Sequence, residues 1–357
     1  MDILQFKREQ LTDAARHRDR LRKEPHLRWL FFELTDRCNL SCRHCGSNCA
    51  AQGQSLTVED VRRVLITLSP ERPMICLTGG EPLLHPDFFE IAGCVRSLGF
   101  SWGLTTNATL IDDAVAKKLR QAGMATVSVS LDGLERSHDL LRRQKGAWSR
   151  AIDGLNALQR AGFEPQVTTV VHRENLDDLE PLYEMLGKLQ IKSWRPINIE
   201  PIGRAYGGKD LLLSPEQFVN LLSFIREKRY APDSDMEVTF GCSHYLGVKY
   251  ERMVRDHYFL CGAGILVAGI RSSGDICACL DVPNLKELVQ GNIRKDDFMQ
   301  VWRDKFRVFR TDRAVSCKKC APCPERDLCA GDSAHTWDFA NHEPKLCYLD
   351  FSSSIKR

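Results

Sequence analysis

Cys38-Asn-Leu-Ser-Cys42-Arg-His-Cys45 places three thiols three and then two residues apart, directly after the apolar run Trp29-Leu-Phe-Phe-Glu-Leu34. Closely spaced thiols of this kind can hold three corners of an iron-sulfur cube. Because a 4Fe-4S cluster normally takes four thiolates, three leave one iron open to a ligand from outside the chain. The competing readings are a zinc knuckle or unrelated core thiols, but zinc usually takes C-x-x-C pairs matched by a second pair or by histidines.

Outward from this stretch, short β-branched and apolar runs alternate with amphipathic windows as far as about Tyr230. The pattern predicts strands at 29–35, 74–78, 101–106, 126–131, 166–172 and 194–200, and helices at 58–68, 88–98, 113–122, 148–161 and 179–189. Strands alternating with helices imply a parallel sheet covered by helices, an α/β fold. Pro196 and Pro201 suit an edge position for the sixth strand. Ser214-Pro215-Glu216 starts a closing helix.

The C-x-x-x-C-x-x-C spacing resembles that of the radical S-adenosylmethionine (SAM) enzymes, and the resemblance implies a partial, open (β/α)6 TIM-like barrel. In such barrels the chemistry sits at the carboxyl ends of the strands. Cys38, Cys42 and Cys45 would hold a 4Fe-4S cluster whose open iron SAM chelates. Thr78-Gly79-Gly80-Glu81-Pro82 resembles the family's turn after strand two, in which Gly79, Gly80 and Glu81 would bind the SAM ammonium and methionyl backbone. Asn107, Ser130 and Asp132, at the ends of strands three and four, are candidates for the SAM ribose and carboxylate. Read without the family, Asn and Asp-Gly at strand ends are ordinary caps and turns. His138-Asp-Leu-Leu-Arg142 with Gly146-Ala-Trp-Ser149 resembles a further family pattern, in which Arg142 would meet the SAM carboxylate.

Nine of the fifteen cysteines lie from Cys242 onward. Cys261, Gly274-Asp-Ile-Cys-Ala-Cys279, Cys320-x-x-Cys323-x5-Cys329 and Cys347 resemble the SPASM extension of radical SAM enzymes. That resemblance implies two auxiliary 4Fe-4S clusters held by Cys261, Cys279, Cys317, Cys320, Cys323, Cys329 and Cys347. Taken alone, Cys317 to Cys329 would also suit zinc. Where the family has another cysteine four residues after Cys329, this chain has Ser333. The open position could take Cys242, Cys277 or Cys317, an oxygen ligand such as Asp332, or no residue at all. The Gly-Asp turn reads as a hairpin that returns Cys279 toward Cys261. Cys76 and Cys94 read as core thiols, and Cys49 has no assignment.

The 357 residues suffice for one large and one smaller domain, and 43% hydrophobic with 27% charged residues is an ordinary globular balance. A formal net charge of +3 gives no reason to expect nucleic acid or a membrane surface as partner. Residues 1–24 lack the apolar centre of a secretory signal, so the cysteines suit a reducing cytoplasm. The expected organisation is a polar helical extension over 1–27 covering one end of the barrel, the barrel over 28–232 and the cysteine-rich domain over 233–357.

The family resemblance implies reductive cleavage of SAM to a 5′-deoxyadenosyl radical that abstracts hydrogen from a ribosomal peptide or protein, in cross-linking, epimerisation or oxidation. A small-molecule oxidation in a haem-like pathway is the second reading, and a non-catalytic iron-sulfur scaffold or sensor the third. Expected partners are a flavodoxin- or ferredoxin-type electron donor and, since residues 1–27 are too few for a leader-binding module, a separate leader-peptide-binding protein.

Overall fold

The computed structural model describes residues 3–348 except 48, 50–52, 69, 70, 208, 233, 242 and 243. Helix α1 (Ile3–Lys23) precedes β1 (Trp29–Glu33). There follow α2 (Val58–Thr67), β2 (Met74–Thr78), α3 (Phe88–Ser97), β3 (Trp102–Thr106), α4 (Asp113–Gln121), β4 (Thr126–Ser130), α5 (Glu135–Arg142), α6 (Ala147–Arg160), β5 (Gln166–Val171), α7 (Leu179–Lys188), β6 (Ser193–Asn198) and α8 (Pro215–Arg229). Strands β1 to β6 are parallel and adjacent in chain order. The expected elements therefore form within a residue or two of their expected limits, and α5 is added. The helix starts follow from side-chain chemistry: Thr57 and Asp60 make a reciprocal capping box at α2, and Ser214 and Gln217 make another at α8, where proline occupies the first turn.

Strand alternation separates two faces. Val127 and Val129 on β4 and Trp194 on β6 join the core beneath the helices. Ser128 and Ser130, Gln166 and Thr168, and Ser193 and Arg195 are half-buried on the opposite face, which lines the open interior of the barrel. Cys76 on β2 has the same half-buried alternation and feels the charge of Arg195, so it faces this interior rather than the core. Cys94 lies in the core as expected.

Two corrections concern the edges. Strand β6 is not the end of the sheet, because β7 (Glu237–Val238) pairs with its first two residues in parallel. The proline remains compatible with that position: the Pro196 carbonyl accepts from Gly241 on the β7 side, so its missing N–H faces the side where the pairing has already ended. At the other edge the cysteine-rich segment enters the sheet. Strand β8 (Val267–Ile270) pairs with β1 in parallel, then β9 (Asp275–Cys277) and β10 (Gly291–Asn292) continue antiparallel, giving the order β10-β9-β8-β1-β2-β3-β4-β5-β6-β7. Gly274 at φ +86° makes the turn between β8 and β9.

Helix α1 packs on the carboxyl-terminal segment, against its short helical turns Gly247–Tyr250 and Arg326–Cys329. Leu11 packs near Tyr245, Val248 and Leu328, and the buried Arg18 donates to the carbonyls of Leu328 (2.7 Å) and Asp327 (2.8 Å). The charges of α1 are thus only partly a solvated face. No helix among the described residues is long and apolar enough to cross a membrane.

Candidate active site and iron-sulfur centres

The loop after β1 carries the three leading thiols. Cys42 is buried, Cys38 and Cys45 are half-buried, and all three gather with Leu40 and Ala147 in a small apolar cluster. Burial pushes the Cys38 thiol up to about 11 and raises Cys42 as well. Cys45 goes the other way, to about 5, because the Cys49 thiol hydrogen-bonds to it.

The turn after β2 is fitted to this loop. The Gly80 N–H donates to the Thr35 carbonyl (2.7 Å) and the Glu81 N–H to the Arg37 carbonyl (2.9 Å). A Cβ on Gly80 would lie 2.2 Å from the Arg37 carbonyl oxygen, and one on Gly79 2.5 Å from that of Thr35. The glycines are therefore required by the approach of two protein loops, a cause distinct from the ligand contact that the family resemblance implies. The Glu81 carboxylate is fully buried and accepts from Thr106 Oγ1 (2.8 Å), the Asn107 N–H (2.9 Å) and the Leu83 N–H (3.3 Å). Burial pushes its carboxyl up to about 7 despite these donors. Asn107 completes the link: its Nδ2 donates to Asn39 Oδ1 in the cysteine loop (3.0 Å), while its Oδ1 accepts from the Thr109 N–H (3.0 Å) and hydroxyl (2.6 Å). The ends of β2 and β3 and the cysteine loop are thus one hydrogen-bonded unit.

At the end of β4 Ser130 stands half-buried on the interior face, whereas Asp132 is fully buried. Asp132 Oδ2 accepts from Arg142 Nε (2.7 Å) and Nη2 (2.6 Å), and Oδ1 accepts from the Val170 N–H (2.9 Å). Burial disfavours the Asp132 charge, but Arg142 outweighs it and holds the carboxyl down at about 2. The two residues thus pair with each other beside the cysteine loop, and the remaining guanidinium nitrogen, Nη1, lies 3.8 Å from the Cys42 sulfur. His44 Nε2 stands 3.9 Å from Asp132 Oδ2 and its buried Nδ1 has no hydrogen bond, while burial lowers this imidazole to about 4.

In the second cysteine field Cys320, Cys323, Cys329 and Cys347 line one cavity of about 260 Å³ together with Tyr245 and Tyr348. Cys317 does not line the cavity but adjoins it: its buried sulfur accepts from the Cys320 N–H (3.2 Å) and hydrogen-bonds with the Cys320 thiol. Cys261 and Cys279 form the other focus: the Ala334 N–H donates to the Cys261 sulfur (3.3 Å), and the Cys279 thiol lies 3.9 Å from Asp281 Oδ2. Of the residues considered for the place of Ser333, Asp332 is taken up, because its carboxylate accepts from His244 Nδ1 (2.9 Å) and the Tyr245 N–H (2.8 Å). Cys277 is buried under Gly269, whose position leaves only 2.9 Å between a Cβ and the Cys277 sulfur. Cys242 lies outside the described residues.

Between the cysteine loop, the end of β6 and the β8–β9 hairpin is a cavity of about 830 Å³, within the size range of ligand sites. Glu33, Asp36, Asp275, Asp281 and Asp338 line it, against the cations Arg271 and Lys345. Arg271 is engaged by the carbonyls of Leu280 (3.2 Å) and Val282 (2.7 Å), and Lys345 sits 4.7 Å from the Tyr206 ring centroid. Behind the cavity Glu200 joins His335 Nε2 (2.7 Å) and His244 Nε2 (3.3 Å), and His244 continues to Asp332. Glu33, Asp281, Glu200, His244 and His335 escaped the sequence reading because single acids and histidines carry no spacing signal. The only hint was His335, inside the unusual Gly331-Asp-Ser-Ala-His-Thr-Trp337 run.

The gathered thiols fit the ligand chemistry of iron-sulfur cubes. The ligands of a cube hold separate irons and so surround a volume. Cys38, Cys42 and Cys45 cluster in this way, and so do the four thiols around the smaller cavity.

Residues 32–186 match the Radical SAM superfamily and residues 261–324 the SPASM iron-sulfur cluster-binding domain. The chain is similar to the AdoMet-dependent heme synthase of Methanosarcina barkeri, with 29% identity covering 90% of this chain and 96% of that one. It is also similar to the mycofactocin maturase MftC of Mycolicibacterium smegmatis, with 29% identity covering 85% and 76% of the two chains. Streptococcus suis SuiB bound to its precursor peptide SuiA shares the fold, with a TM-score of 0.73 and 18% identity over 86% of this chain and 72% of that one. With thiols, turn and barrel disposed as described, the chain carries a Radical SAM domain followed by a SPASM domain, a radical SAM enzyme whose cofactors are 4Fe-4S clusters and S-adenosylmethionine.

Proposed function

We propose that this enzyme abstracts hydrogen from a carbon of a ribosomally made peptide or protein, leading to a cross-link, an epimerised centre or an oxidised residue. When bound, the SAM-binding cluster and SAM supply a 5′-deoxyadenosyl radical at the cost of one electron from a flavodoxin- or ferredoxin-type donor. Cys38, Cys42 and Cys45 would hold that cluster, Glu81 would face the SAM ammonium, and Ser130 and Asn107 would border the ligand. Asp132 and Arg142 would support the loop from behind. Cys320, Cys323, Cys329 and Cys347 would hold the outer auxiliary cluster, with Cys261 and Cys279 at the inner one. In domain terms, residues 28–232 would form the barrel and 233–357 the auxiliary domain.

The observation that carries the substrate class is the acidic balance of the 830 Å³ cavity beside the cysteine loop, where five carboxylates face two cations that already have partners. Such a lining favours backbone N–H groups and basic side chains, and it repels carboxylates. A leader-binding protein would present the peptide to it.

A second reading, a tetrapyrrole substrate, is favoured by the relatives named as heme synthases, whose likeness extends over nine-tenths of this chain. The two readings separate on binding. The reconstituted enzyme is titrated with lysine-rich and glutamate-rich fluorescent peptides and with an iron porphyrin bearing carboxylates. Binding of the lysine-rich peptide, weakened by Asp281→Lys and Asp338→Lys, supports the peptide. A shifted porphyrin absorption band, together with no peptide binding, transfers the assignment to the tetrapyrrole.

A further inference from the structure

Arg204 follows β6 and reaches the cysteine loop from the far side of the barrel mouth. Its backbone N–H donates to the Cys45 carbonyl (3.0 Å), Nη1 to the Cys42 carbonyl (2.7 Å) and Nη2 to the Cys49 carbonyl (2.7 Å). One residue thereby holds the loop at three places, on both sides of Cys45. A guanidinium can do this because its donors form a rigid planar fork, which the point charge of a lysine does not reproduce.

The residue before it makes the approach possible. Gly203 has φ +51°, and a Cβ there would lie 2.2 Å from the Cys45 carbonyl oxygen and 2.6 Å from the Gly46 Cα. Only glycine takes this left-handed conformation in this space without displacing the loop.

What the grip preserves is the surroundings of one sulfur. Cys49 is the fourth thiol of the loop and has no role in the three-thiol motif. With its carbonyl held by Arg204, its thiol hydrogen-bonds to Cys45, and Arg204 also places positive charge near the Cys45 sulfur. Neither Cys38 nor Cys42 has a thiol donor of this kind.

We propose that Arg204 is a positioning residue for the SAM-binding cluster, which fixes the Cys42–Cys49 loop so that the Cys45 sulfur keeps a thiol hydrogen bond and a nearby cation, and thereby raises the reduction potential of the cluster. The physical basis is that reduction adds negative charge to the cluster. Donors and cations near a ligand sulfur stabilise that charge, and outer partners of this kind tune a centre without ligating it. The proposal concerns the cluster alone and stands whichever substrate the enzyme takes.

The test is a redox titration of the reconstituted, substrate-free holoenzyme followed by electron paramagnetic resonance. The SAM-binding cluster is recognised as the signal that changes when SAM is added. Arg204→Met is expected to lower its midpoint by at least about 59 mV, a tenfold change in a one-electron equilibrium. Arg204→Lys should fall between Arg204→Met and wild type. Cys49→Ala should lower the midpoint with the iron content unchanged, and Cys49→Ser, which keeps a donor, should restore it. If Arg204→Met does not fold, the Cys49→Ala and Cys49→Ser pair decides alone. Unchanged midpoints in Arg204→Met and Cys49→Ala overturn the proposal. So does the loss of roughly four irons in Cys49→Ala, which would make Cys49 a ligand instead.

Discussion

Replacing Asp132 by asparagine tests the buried pair behind the cysteine loop. Asp132 has no exposed surface and the Arg142 side chain is 8% exposed, so Asp132→Asn strands a guanidinium that water cannot reach. Breaking a buried pair by removing one partner costs about 3 to 5 kcal/mol. The acid titration gives an independent figure. Asp132 is held at about 2, below its ordinary 3.8. A depressed carboxyl contributes stability that is present above the unfolded pKa and lost as pH falls through the folded one, here between about pH 4 and pH 2. At about 1.4 kcal/mol per pKa unit the contribution is roughly 2 to 3 kcal/mol. Urea unfolding of the cluster-free chain at pH 7 should therefore show Asp132→Asn less stable by about 3 kcal/mol. The deficit should shrink as the pH falls below 4. Arg142→Met combined with Asp132→Asn should recover part of the loss, since no unpaired charge remains. A single variant within 1 kcal/mol of wild type, or a deficit independent of pH, would falsify the reading of this pair as the support of the loop.

Three further outcomes follow from the site. Gly80→Ala drives a Cβ to within 2.2 Å of the Arg37 carbonyl oxygen, so the cysteine loop must shift. Chemical iron analysis should then show a loss of roughly four irons per chain, and full iron content would mean that the loop yields without harm. Cys347→Ala should likewise remove about four irons, whereas Cys277→Ala, buried under Gly269, should remove none; equal losses from the two would redraw the outer ligand set. Glu81→Gln should weaken SAM binding by roughly 1.5 to 3 kcal/mol while iron stays bound. Because the Glu81 carboxyl is pushed up to about 7, wild-type affinity for the SAM cation should rise as pH increases through that value, and a flat profile would confine Glu81 to its contacts with Thr106 and Asn107.

The barrel was legible in the sequence because its strands and helices write their periods locally. Val127 and Val129 alternate with Ser128 and Ser130, and Ser214-Pro215 announces α8. The leading thiols were legible for the same reason, since a short loop fixes their spacing. What stayed hidden depends on approach between distant segments. Nothing near Arg142 shows that it turns to Asp132 rather than outward. Nothing in Gly79-Gly80 distinguishes a glycine that admits a ligand from one that admits the Thr35–Cys38 backbone. Strand β7 is only two residues long and carries no periodic signal. The cysteine spacing after residue 317 allowed several four-thiol groupings, and only the folded chain brings the distant Cys347 to the cavity lined by Cys320, Cys323 and Cys329.

The parallel pairing of β8 with β1 has a consequence for how the enzyme is made. Phe31 meets Gly269 across that ladder, so the strand that leads into the SAM-binding loop waits for a partner synthesised far later. Contacts between such distant segments form slowly, and until then β1 offers an unpaired, strongly apolar edge. A chain ended before residue 261 would keep every leading thiol and every motif around Glu81, yet it would emerge from the ribosome with that edge open. The auxiliary segment would then act, before any electron passes, as the closing strand that keeps the nascent barrel from associating with its neighbours.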